Sequence, residues 1–150
     1  MIQQDVPEKW VHWKLTSDPS AAAVFGFRVY PIIAPQGATR SATGGILTFA
    51  IFKRLSTNRD TKTLAIGQEQ EAVAYTIQLD VYAETYAAVR EAASVVSRVL
   101  HGATETTWGS NVLYSLLKTE QDDLVVPVDG KEAPIYSVGQ QYEIRVTDTI

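Results

Sequence analysis

Between Val73 and Tyr82 the chain alternates strictly, with Val73, Tyr75, Ile77, Leu79 and Val81 falling on one side and Thr76, Gln78 and Asp80 on the other. Side chains of an extended chain point to opposite faces in turn, so this period of two describes a strand buried on one face and wet on the other. Such strands belong to antiparallel sheets covered on one side only. Immediately afterwards the period changes. From Thr85 to His101, Tyr86, Val89, Ala93, Val96 and Leu100 recur at steps of three and four, the stripe of an amphipathic helix. Thr85 can cap it, Gly102 can terminate it, and Arg98 and His101 sit at the negative end of its dipole. A one-sided strand followed by a one-sided helix needs the two to cover each other.

Three further stretches read as strands. Leu47 to Leu55 sets Leu47, Phe49 and Ile51 against Thr48, Ala50 and Phe52 and ends in Lys53-Arg54; Val112 to Thr119 is another; Ser137 to Thr147 faces Tyr142, Ile144 and Val146 one way. The expected fold is α/β of the α+β type. It has a four-stranded, mainly antiparallel sheet near 47–55, 73–82, 112–119 and 137–147, with helix 85–101 packed on one face. One domain spanning residues 1–150 is expected. Val6 to Leu15, with Val6, Trp10 and Trp13 spaced near 3.6, Val11 and Leu15 as further candidates, and Pro7 in the first turn, predicts a short N-terminal helix. Ser17-Asp18-Pro19 interrupts it, and Ser20 can cap one more turn before Gly26. Phe27 to Pro31 reads as extended chain entering a turn. Long polar connections are expected at 34–45 and 56–70, and the segment 120–135 reads as an excursion between strands, with Asp122 and Asp123 in a solvated acidic turn and Asp129-Gly130 able to close a small turn.

A chain of 150 residues with 45% hydrophobic content can bury a sufficient core without cross-links, and with no cysteine it forms no disulfide or thiolate site. Asp5 and Glu8 lie where a secretory signal would need positive charge and then an apolar stretch, so a cytoplasmic product is expected. No run of 18 apolar residues predicts a membrane span. The net charge of −4 disfavours a general nucleic-acid binder. Its distribution is uneven. Residues 1–31 are balanced, 32–68 carry five basic residues against one acidic, and 69–150 carry five basic against thirteen acidic. A chain with opposite potentials on different parts suits head-to-tail association with copies of itself.

Reactive groups are few: His12, His101, Asp122 with Asp123, and Asp80 with Glu84. His101 is explained by the helix end, and His12 by its place between Trp10 and Trp13. In an extended segment Asp122 and Asp123 would point to opposite faces, which does not suit a carboxylate pair sharing a proton. Asp80 and Glu84 lack the further oxygen ligands a hard metal needs. Gly44-Gly45 has neither the lysine nor the glycine spacing of a phosphate or dinucleotide loop. The reading therefore assigns no catalytic residue, no metal ligand and no cofactor. The candidates are contact residues toward a neighbouring subunit or partner: Arg40, Lys53, Arg54, Arg59, Lys62, Asp122 and Asp123.

The order of elements and several short strings resemble the tail terminator, or tail-completion, proteins of long-tailed bacteriophages. The strings are RVYP at 28–31, RLSTNR at 54–59, QLDVYAETYAAVREAASVV ending the alternating strand and entering the helix, and PIYSVGQQYEIRV before the C-terminus. The likeness covers about residues 10–147. It implies a small α/β domain forming a ring, usually hexameric, that caps the tail tube, ends its polymerisation and joins it to the head connector. The implied partners are other copies of the chain, the tail tube protein and a head-side connector or stopper. DNA would pass through the lumen without specific binding. The implied location is the virion neck, after assembly in the host cytoplasm. Two rivals remain, a head-completion adaptor of the same neck and a small cytoplasmic enzyme.

Overall fold

The alternating segment around Ile77 forms the middle strand of a five-stranded sheet. The computed structural model describes residues 6–35, 39, 45–59, 72–105, 110–125 and 135–148. Among these the elements run α1 (Val6–Ser17), α2 (Pro19–Phe25), β1 (Val29–Pro31), β2 (Phe49–Arg59), β3 (Ala72–Ala83), α3 (Tyr86–Leu100), β4 (Ser110–Val125) and β5 (Ile135–Asp148). The sheet order is β1-β2-β3-β5-β4. The four expected strands pair antiparallel. A fifth, β1, lies parallel to β2 at one edge, with Val29 opposite Ala50 and Pro31 opposite Phe52. Three residues are too few to display a period, which is why this segment reads only as extended chain.

The burial follows the alternation. Val73, Tyr75, Ile77, Leu79 and Val81 are buried, and so are Val138, Gln140, Tyr142, Ile144 and Val146 of β5. The intervening residues of both strands are largely half-exposed and form the open face. The helices occupy the covered face, and α3 contributes Val89, Ala92, Ala93, Val95, Val96 and Leu100 to the same core. Tyr86 departs from the expected stripe. It is 52% exposed, because the first turn of α3 reaches past the apolar layer. In α1, Trp10, Val11 and Leu15 are buried while Trp13 is 40% exposed, so Trp13 lies off the buried face.

Local chemistry sets the ends. The Thr85 hydroxyl accepts from the Ala88 N–H at 3.1 Å, as a helix cap does, and Gly102 turns the chain out of α3 at φ +77°. The second helix is capped by Asp18 rather than by Ser20. Its carboxylate accepts from the Ser20 N–H at 3.0 Å and the Ala21 N–H at 3.3 Å, Pro19 opens the helix and Gly26 closes it. The Ser20 hydroxyl, with these N–H groups and nearby Lys14, holds the exposed Asp18 carboxyl below its usual range.

The largest revision concerns 120–125. These residues are a continuation of β4, paired through Asp122 opposite Val138 and Asp123 opposite Ser137, and not a turn. Bulges at Val112/Tyr114 and Leu117/Thr119 bend this long edge strand. Bulges of this kind, and a lysine such as Lys118, are devices that discourage indiscriminate pairing at an edge. Similarly, 56–59 belong to β2; Arg54, opposite Ile77, shares the helix side with Ala50 and Phe52 by simple alternation, and the register shifts at Leu55, just after it. The rest of the polar stretch at 60–70, most of 34–45 and the Asp129-Gly130 turn lie outside the described residues.

A polar network crosses the core between α3 and the β4/β5 pair. The Gln140 amide donates to the Ala93 carbonyl at 3.1 Å and to Glu120 Oε2 at 2.8 Å, and its oxygen accepts from the Tyr142 hydroxyl at 2.7 Å. Burial, then the nearby Glu120 charge, pushes the Tyr142 phenol far above its ordinary range. Because the folded phenol resists ionisation while the unfolded one ionises near pH 10, stability should be flat below that pH and fall above it. The slope should approach about 1.4 kcal/mol per pH unit for this group. Half-buried Tyr82 is shifted the same way and adds to the slope. Urea titrations of native and Tyr142→Phe protein between pH 8 and pH 11 should show a shallower alkaline decline in the variant.

Candidate assembly surfaces

Three surfaces concentrate the chemistry left over after the core is built. The first is the far end of β4. Extended backbone sends Asp122 and Asp123 to opposite faces, as their adjacency requires. On the helix side, Asp122 Oδ2 accepts from the Tyr86 hydroxyl at 3.0 Å, and its Oδ1 accepts from Arg90 Nη1, also at 3.0 Å. The same Arg90 nitrogen donates to Glu120 Oε1 at 2.6 Å. The hydrogen bond to Asp122 raises the Tyr86 phenol, and Glu120 ahead of Asp122 raises the Arg90 guanidinium. The ring of Tyr86 meets Tyr136 edge to face at 6.0 Å between centroids. Leu124 and Val125 close this end with 46% and 44% of their surface exposed.

On the open face, Asp123 lines a polar groove of about 270 Å³ together with Asp80, Tyr82, Gln121 and Ser137. Gly139 lies along the groove, and a Cβ there would come within 3.0 Å of Asp80 Oδ1. Gln78 Nε2 donates to that same oxygen at 2.9 Å. Burial, followed by the Asp80 charge, raises the Tyr82 phenol, whose ring stacks on Phe49 at 4.8 Å. The groove offers carboxylates, amides and hydroxyls to a polar partner. Among the described residues no three His, Cys, Asp or Glu side chains gather to hold a metal ion.

The third surface is an apolar groove of about 490 Å³ between α1 and the β1 edge, lined by Glu8, Lys9, His12, Trp13, Pro31 and Phe52. Lys14 lies over the Trp13 ring at 5.6 Å, and exposed His12 tilts against Phe52 at 6.2 Å. Beyond Pro31 the chain turns through Ile32 at φ +64°, a conformation disfavoured for a β-branched residue, and both Ile32 and Ile33 are 74% exposed. Sequence reasoning missed this surface. Trp13 fits a helical stripe by spacing, and only its displacement from Trp10, Val11 and Leu15 hints that it faces outward.

The candidate contact residues divide by position. Lys53 is exposed on β2. Arg54 turns inward instead, its Nε and Nη2 donating to Glu8 at 2.5 and 2.7 Å and its guanidinium lying 4.5 Å from the Tyr75 ring. It ties α1 to the sheet. Arg59 ends β2, while Arg40 and Lys62 lie outside the described residues. His101 accepts the Leu117 N–H on Nδ1 at 3.0 Å, which joins the end of α3 to β4. Among the described residues no helix is long and apolar enough to cross a membrane.

No protein-family model matches the chain, and no curated protein matches it. Among solved structures it is similar in fold to a chain from the virion of a native gene transfer agent particle. The TM-score is 0.62 at 16% sequence identity, and the match covers 91% of each chain.

Proposed function

We propose that this chain is a structural protein of a phage-like virion, acting as a tail terminator. In this reading copies form a ring on the tail tube, end its polymerisation and join it to the head-side connector. DNA passes through the lumen without specific binding, and no reaction is catalysed. The observation that carries the reading is the fold likeness to a chain of a gene transfer agent virion over 91% of both chains. The string resemblance to tail terminators supports it, as do two surfaces at opposite sheet edges suited to protein contacts. A net charge of −4 suits a lumen that does not hold a moving polyanion. Basic Arg40, Lys53, Arg59 and Lys62 are proposed to face a neighbouring subunit or neck protein, with Asp122 and Asp123 as acidic contacts; Arg54 acts within its own chain.

Particles made without this protein test the reading. They should yield filled heads and separate tails of irregular length, seen by negative-stain microscopy. Normal joined virions would contradict a terminator role, and tails of uniform length that fail only to join would favour the head-side adaptor.

A further inference from the structure

We infer that the polar groove on the open face of the sheet seats the Arg40 guanidinium of a second copy of this chain. This deepens the ring reading and rests on it. The residues that form the groove all belong to one face. Asp80 of β3, Gly139 of β5 and Gln121 of β4 lie side by side across three strands, and Tyr82, Ser137 and Asp123 form the next row on that face. A Cβ at position 139 would come within 3.0 Å of Asp80 Oδ1, so the glycine keeps the floor open beside that carboxylate. Each acid is positioned by a neutral donor, Asp80 by the Gln78 amide at 2.9 Å and Asp123 by the Leu124 N–H at 2.7 Å. Among the described residues neither has an ion-pair partner, and Lys53, on the same face opposite Gln78, forms no ion pair with them. The groove therefore holds two negative charges that its own chain leaves unpaired.

A concave floor with two carboxylates beside amide and hydroxyl groups is matched by a flat cation with several N–H donors, which arginine supplies better than lysine. The sequence contains a segment of that chemistry. Arg40 is the only charged residue between Arg28 and Lys53, and no acidic residue occurs between Asp18 and Asp60. Gly37, Ala38, Thr39, Ser41 and Ala42 flank it, and side chains this small let a backbone come close to a neighbour. The Leu47 N–H donates to the Thr39 carbonyl at 2.7 Å, which ties the residue before Arg40 to the entry of β2. In the order β1-β2-β3-β5-β4 the arginine is thus anchored on the β2 side, while the groove is centred on β5, toward the β4 edge. Each copy carries the cation toward one edge and its acceptors toward the other, so successive copies can repeat one contact head to tail. A heterologous contact of this kind closes into a ring when its rotation allows.

The chain has no cysteine, so introduced ones report this contact alone. Particles assembled with chains carrying Ser41→Cys and Gln121→Cys together, treated with a short bismaleimide, should give a ladder of covalent multimers. Chains with Ser41→Cys alone, mixed with chains with Gln121→Cys alone, should give covalent dimers, and either variant by itself should stay monomeric. Arg40→Glu should leave the circular dichroism spectrum unchanged and lower incorporation into the ring at least tenfold. Adding Asp80→Asn and Asp123→Lys to that chain should restore most of the loss. Rings that form without a ladder, a double variant linked only within its own chain, or full incorporation of Arg40→Glu would overturn the inference and leave the ring reading intact. So would a compensating pair that folds and restores nothing. Particles holding no ring of the unaltered chain would overturn the ring reading, and the inference with it.

Discussion

Val96→Asp should lower the unfolding free energy by about 4 kcal/mol, the cost of placing a carboxylate without a partner in a closed apolar core. Val96 is fully buried on α3, on the face that carries Ala92, Ala93 and Leu100 against β3 and β5. The buried polar groups nearby are already committed. Gln140 bonds the Ala93 carbonyl, Glu120 and Tyr142, and has no donor to spare for a new charge. Val96→Ala removes only two methyl groups and should cost about 2 kcal/mol at most, which separates the charge effect from the cavity effect. Urea unfolding followed by circular dichroism measures both. A Val96→Asp midpoint equal to that of Val96→Ala would show that α3 does not pack on the sheet as described. Because domains are stable by only about 5–15 kcal/mol, the charged variant should also accumulate poorly in cells.

Trp10→Ala should cost about 3–5 kcal/mol, the range for removing a large aromatic side chain from a core. Trp10 is the largest fully buried side chain among the described residues and belongs to the cluster that joins α1 to the rest of the core. Its replacement by phenylalanine separates two contributions. The indole Nε1–H has no hydrogen-bond partner among the described residues. A buried donor left unpaired costs about 1–3 kcal/mol, so Trp10→Phe removes that penalty while losing some packing. It should therefore destabilise far less than Trp10→Ala, by about 1 kcal/mol or less. Equal losses in the two variants would mean that the indole N–H is satisfied in the folded protein.

The parts of the fold that could be read from residue order are those where one face is covered and the other wet. The alternation from Val73 to Val81 and the stripe through Val89, Ala93, Val96 and Leu100 each report a single interface, and each is found where its period places it. The end of β4 fails that test for a physical reason. Tyr86 and Arg90 of α3 reach it only through polar contacts, and residues 120–125 are all exposed, so no apolar alternation is selected. Consecutive polar residues there imitate a turn. The role of Arg54 was equally hidden, because its ion pair with Glu8 spans 46 positions and arises only when α1 lies across β2. The groove at Trp13, Pro31 and Phe52 combines three elements in space. The opposite orientations of Asp122 and Asp123, by contrast, follow from adjacency once the segment is extended.

Locating the protein in intact particles tests the central claim most directly. Cryo-electron microscopy of particles carrying a small C-terminal tag on this chain should reveal one ring of added density at the head-proximal end of the tail tube. The ring should be absent from the tube wall and from the capsid. Density spread along the tube, density confined to the portal side of the neck, or particles lacking the tagged chain altogether would each contradict the terminator assignment.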